Sequence, residues 1–178
     1  MGGIVERGRR VNRRDLDRAV DERVAFYHGS GKPLPVGEVL RARMSKLRSI
    51  SPVDQLVDAA RPADAPPRWR TWYMATDPCD VSALGGSDAY VYRVEPTGTV
   101  VPVNYDWYRK VRSDVGHYVQ DTGLAPWSDS AWVQSELPIA ERYWQNAPSA
   151  HAQTEWLVPE IKVVRQVKCK SRVQRGRK

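Results

Sequence analysis

The chain has 178 residues, 41% hydrophobic and 28% charged, with a net charge of +7. That balance excludes a disordered polymer, and no apolar run reaches the length needed to cross a bilayer as a helix. The excess charge is local: Lys162, Arg165, Lys168, Lys170, Arg172, Arg175, Arg177 and Lys178 have no acidic residue among them, so residues 1–161 carry a net charge of −1. Residues 1–14 are rich in arginine but lack an apolar segment, which argues against a secretory signal. Residues 13–24 read as a charged helix with a thin stripe of Leu16, Val20 and Val24. Residues 24–28 are a short apolar strand stopped by Gly29-Ser30-Gly31, and the prolines and glycine of 32–37 require a loop. Ser51-Pro52 opens a helix that runs to about Ala60, since serine caps and proline suits the first helical position.

After a proline-rich connector over 61–67 the character becomes β. Residues 69–75 are short and aromatic, and 81–84 predict a helical turn. Residues 89–94 are β-branched and aromatic throughout, 95–98 carry turn chemistry, and 99–103 form another strand. Residues 135–144 read as a helix, 146–152 as a polar loop, and 156–158 with 161–167 as closing strands. The expected class is α+β, on small antiparallel or mixed sheets. The expected organisation is an N-terminal extension over 1–24, a domain over 25–167 and a basic tail over 168–178.

Two cysteines, Cys79 and Cys169, are too few for a disulfide framework or a zinc site, so a reducing cytoplasm is the expected location. His28, His117 and His151 are scattered without ligand spacing, and no metal is expected. Gly29-Ser30-Gly31-Lys32 lacks the spacing of a phosphate loop, and Pro33 donates no N–H. No GxSxG elbow is present.

Two segments carry more. In Phe26-Tyr27-His28-Gly29-Ser30 an imidazole ends a strand beside backbone donors and acceptors, an edge able to bind an amide and a ribose hydroxyl together. In Gln153-Thr154-Glu155 a carboxamide and a carboxylate two residues apart share one face of an extended segment. Singly, each of these residues has an ordinary packing explanation.

Taken together with Trp72-Tyr73-Met74-Ala75-Thr76, these segments resemble, in order, the YHG(T/S), YF(A/T) and QxE motifs of mono-ADP-ribosyltransferases in the NAD-cleaving toxin and PARP-like superfamily. Leu34-Pro35-Val36-Gly37-Glu38-Val39-Leu40 and Val91-Tyr92-Arg93-Val94-Glu95-Pro96-Thr97-Gly98 are further similar to the rifamycin-modifying branch. The resemblance covers residues 26–167. It implies a split β-sandwich of two small sheets with flanking helices, and NAD as the ADP-ribose donor without a metal. It implies that His28, Gly29 and Ser30 hold NAD, that Tyr73 stacks on nicotinamide, and that Glu155 steadies the oxocarbenium-like ribose with Gln153 beside it. The rifamycin-like branch nominates Asp106 as the acid instead; Glu155 is preferred because the strand after it matches more closely. Gln153 favours an amide or guanine-type acceptor, on a target protein or on DNA or RNA, with Tyr143 and Trp144 as the acceptor loop. The tail is expected to contact nucleic acid, in a monomeric bacterial or phage effector toxin with no membrane partner. The alternatives are a small-molecule transferase of the rifamycin type and a non-catalytic nucleic-acid-binding module.

Overall fold

The computed structural model describes residues 24–42, 50–84, 86–151 and 153–169. The helix expected over 13–24 and the tail beyond Cys169 fall outside them. The strands are β1 (Phe26–Ser30), β2 (Val39–Arg41), β3 (Trp72–Met74), β4 (Tyr90–Thr97), β5 (Val101–Asn104), β6 (Thr154–Val158) and β7 (Glu160–Val167). The helices are α1 (Pro52–Ala59), α2 (Tyr105–Thr122) and α3 (Ser130–Trp144). The larger sheet has the order β1-β4-β7-β2 and the smaller β3-β6-β5, with every pairing antiparallel. The α+β class with two small sheets is therefore as expected. No helix among the described residues is long and apolar enough to cross a membrane.

Alternation along β3 and β6 gives the smaller sheet two apolar faces. Trp72, Met74, Trp156 and Val158 meet Phe26, Tyr92, Val94, Ile161 and Val163 of the larger sheet. Tyr73, Val103 and Leu157, on the other face, meet the three helices. A third cluster joins Ala75, Val81, Leu84 and Val91 to Tyr105 at the start of α2. The smaller sheet is thus the middle layer, and every residue-to-residue step along its strands exchanges one environment for the other.

Helix α1 begins as its sequence predicts, with Ser51 Oγ accepting from the Asp54 N–H at 3.0 Å and Pro52 in the first turn. Helix α2 is the longest of the described helices, and no element is expected from sequence over its mostly polar span. Its pattern is nevertheless helical: Tyr105, Val111 and Val115 are buried on one side, Asn104 caps it, and Gly123 ends it at φ +68°. Helix α3 starts at Ser130 under an Asp129 cap, five residues earlier than expected, and carries Pro138 in its interior. The turn expected over 95–98 is shorter. Strand β4 continues to Thr97 and turns at Gly98, at φ +97°. Beyond Val94 it pairs with β7 alone, and a strand with one free side tolerates Pro96.

The cysteines differ from expectation. Cys79 and Cys169, 90 residues apart, form a disulfide that ties the end of β7 to the 77–84 loop. Disulfides persist in oxidising compartments, so the ground for a reducing cytoplasm is removed.

Candidate functional site

The two sheets part company at β1 and β3. Tyr27 and Ala75 exchange a pair of backbone hydrogen bonds, 2.8 and 2.9 Å, and form an isolated bridge. Continued in register, that ladder would set Gly29 opposite Tyr73. Instead the Tyr73 carbonyl accepts from Nδ1 of His28 at 2.8 Å. Hydrogen-bonding positions on an antiparallel strand recur every second residue, so the N–H and C=O of Gly29 turn toward the same side as those of Tyr27, where β3 has diverged. Gly29 has to be glycine here: a Cβ would lie 2.1 Å from the Ser87 carbonyl oxygen.

A carbonyl only accepts, so His28 carries its proton on Nδ1 and presents Nε2 as an acceptor. Burial holds its pKa below the usual histidine value, against the pull of the Tyr73 carbonyl, and the ring is neutral near pH 7. It packs edge-on to Trp72 at 4.9 Å. His28, Trp69, Thr71, Trp72 and Tyr73 line a cavity of about 200 Å³. Trp72 also lines a cavity of about 880 Å³ with Lys32, Leu34, Leu40 and Arg41, and its indole N–H donates to the Leu40 carbonyl at 3.0 Å. Arg41 spends Nε on Glu160 at 2.6 Å. A small aromatic chamber therefore adjoins a larger, cation-bearing one. Ser30 Oγ accepts from the Lys32 N–H at 3.3 Å and shapes the turn between them.

Glu155 lies on the other face of the smaller sheet and is 0% exposed. Both its oxygens accept from Nη2 of Arg68 at 3.2 Å, and Oε2 also accepts from the Tyr143 hydroxyl at 3.1 Å. Arg68 gives Nε to the Tyr143 oxygen at 2.9 Å, and Nη1 to Asp54 at 2.9 Å and to the Tyr73 oxygen at 3.3 Å. Its five N–H donors are all matched. Its Cζ lies 3.8 Å from the centroid of the Tyr108 ring and 4.3 Å from that of Tyr73. Burial pushes the Glu155 carboxyl up while Arg68 pulls it back. The Tyr73 phenol, buried in the same network, is pushed up to about 12.

The structure therefore joins His28, Tyr73 and Glu155 into one chain of contacts, but on two sides of β3. The imidazole meets the Tyr73 backbone in the inter-sheet layer, and the Tyr73 ring meets Glu155 through Arg68 in the helix-facing layer. Gln153 precedes β6; its carbonyl accepts from the Tyr105 N–H, and its Oε1 is buried without a partner among the described residues. Tyr143 and Trp144 are not an exposed acceptor loop. They end α3 at 0% and 6% exposure, Tyr143 on Glu155 and Trp144 donating to the Val57 carbonyl, because the helix extends through them and their side is apolar. Asp106 accepts from Ser149 Oγ and the His151 N–H, pinning the loop before β6.

Sequence reasoning missed Arg68, Asp54 and Tyr108. Nothing local distinguishes Arg68 from Arg70, whereas Tyr108 stands three residues from both Tyr105 and Val111 and could have been found by helical spacing. Comparison with family models, with curated proteins and with solved structures returned no match.

Proposed function

We propose that the chain is a NAD-dependent mono-ADP-ribosyltransferase whose nicotinamide site is the His28 chamber. The carrying observation is the β1–β3 ladder, which stops after the Tyr27–Ala75 bridge and gives way to the His28 contact with the Tyr73 carbonyl, beside a cavity lined by His28, Trp69, Trp72 and Tyr73. A carboxamide needs one donor and one acceptor, and a ribose hydroxyl can donate to Nε2 of His28. The adjoining cavity, with Lys32 and Arg41, suits the diphosphate half. In the reaction the C1′–N bond breaks, its electron pair leaves on nicotinamide, and an acceptor nitrogen of a nucleobase or side-chain amide bonds C1′ and gives up its proton. The reading gives the ribose 2′-hydroxyl to Glu155, which requires both release by Arg68 and movement of β3, because Glu155 faces the helices while His28 faces the inter-sheet layer.

A second reading, a dinucleotide-binding protein that does not cleave, is favoured by the complete enclosure of Glu155 and the saturated donors of Arg68. Incubation with NAD separates the two. The transferase reading expects nicotinamide release that Glu155→Gln abolishes while NAD binding persists. Binding without release in the unaltered chain supports the second reading, and no binding at all contradicts both.

A further inference from the structure

We infer that the face of the larger sheet opposite His28 docks the phosphodiester backbone of a nucleic acid. The inference deepens the transferase reading by naming its macromolecular partner, and rests on that reading only for its purpose. Its basis is one cross-strand row: Tyr27, Arg93 and Arg165 stand directly opposite one another on β1, β4 and β7. Both arginines are exposed, and neither has an ion-pair or hydrogen-bond partner among the described residues. Like charges directly opposite on a sheet repel, so the row opposes folding unless an anion covers it. The neighbouring Glu95 is already answered by Lys162 at 3.9 Å. A bulge directly after Arg93 redirects the strand at this point.

The surface continues onto α2. Tyr27, Val91 and Val167 of this face pack with Tyr105, and the Arg109 guanidinium lies 5.2 Å from the Tyr105 ring, donates to the Ala83 carbonyl at 3.0 Å and pairs with Asp106 at 3.8 Å. One turn on, Arg112 joins Arg109, Gly116 and His117 along an open groove of about 450 Å³, where Gly116 leaves the floor bare. The Cys79–Cys169 bridge fixes the end of β7 against the same 77–84 loop. Two cations on neighbouring strands beside the Tyr27 ring suit a backbone phosphate flanked by a flat base.

The test is fluorescence polarisation of a labelled single-stranded oligodeoxynucleotide over a salt series. The intact chain is expected to bind with strong salt dependence. Arg93→Gln combined with Arg165→Gln should weaken binding at least about tenfold and lower the log–log salt slope by about one per lost contact. Arg142→Gln on α3 should bind as the unaltered chain does, and equal thermal melts show that the variants are folded. An intact chain that ignores the oligonucleotide, one that binds a heparin fragment only, or a double variant that binds undiminished overturns the inference. An intact chain that releases nicotinamide but does not bind the oligonucleotide overturns this inference alone; an intact chain that binds the oligonucleotide but releases no nicotinamide overturns the transferase reading alone.

Discussion

Arg68 holds both carboxylate oxygens of Glu155 at 3.2 Å inside a core cluster, with its remaining donors on Tyr143, Asp54 and Tyr73. A buried pair of this kind adds little net stability, because desolvating two ions offsets their attraction. Breaking it is another matter. Arg68→Met leaves a buried carboxylate unpaired and is expected to cost about 3–5 kcal/mol. The double replacement Arg68→Met with Glu155→Leu should be less destabilised than Arg68→Met alone. Denaturant unfolding of the two variants decides this. A double variant that loses the sum of both single losses would show that the two residues do not act as a pair.

His28 predicts a dependence on pH. Its folded pKa lies below its unfolded value of about 6.5, so between the two the unfolded chain binds more protons. The stabilisation from a neutral His28 is complete above about pH 6.5 and is lost as pH falls toward the folded pKa. His28→Asn, which keeps a donor for the Tyr73 carbonyl, should flatten the fall in Tm between neutral and mildly acidic pH. Parallel Tm profiles for the two chains would contradict the buried neutral ring.

Gly29→Ala places a methyl group 2.1 Å from the Ser87 carbonyl oxygen and 2.2 Å from the Val81 side chain. Valine can shift, but the backbone carbonyl is held by its own chain. The expected loss is about 1–3 kcal/mol, with weaker NAD binding, because the strand must back away from Ser87 and Val81 and carries His28 with it. Gly31→Ala, where a Cβ meets nothing within 4 Å, is the control and should leave stability unchanged within error.

The disulfide spans 90 residues, and in the chain-entropy model a loop of that length is stabilised by about 4–5 kcal/mol. Reduction with a dithiol should lower Tm markedly, and Cys79→Ser with Cys169→Ser should reproduce the reduced value without responding to reductant. Equal melts with and without reductant, given two titratable thiols after reduction, would show that the bridge adds nothing.

Local chemistry made part of this architecture readable. Ser51-Pro52 marked α1, the β-branched run at 89–94 marked β4, and Gly29-Ser30-Gly31 marked the end of β1. The same strand alternation that paired Gln153 with Glu155 could not say whether their face meets water or helices. Glu155 is buried because α1 and α3 cover that face and Arg68, remote in sequence, supplies its counter-charge. The resemblance sets Tyr143 and Trp144 in an acceptor loop although 135–144 reads as a helix; nothing local shows that α3 carries them onto Glu155 and the Val57 carbonyl. The pairing of Cys79 with Cys169 likewise depends on where β7 ends, a property of the sheet as a whole.

The central claim concerns what occupies the chamber beside His28. The most direct measurement is intermolecular NOE transfer between bound NAD and the protein with labelled histidine and tryptophan rings. The account predicts NOEs from the nicotinamide ring protons to His28 and Trp72, lost in Gly29→Ala. NAD that binds with its nicotinamide contacts elsewhere, or that gives no contact to either ring at saturating concentration, contradicts it.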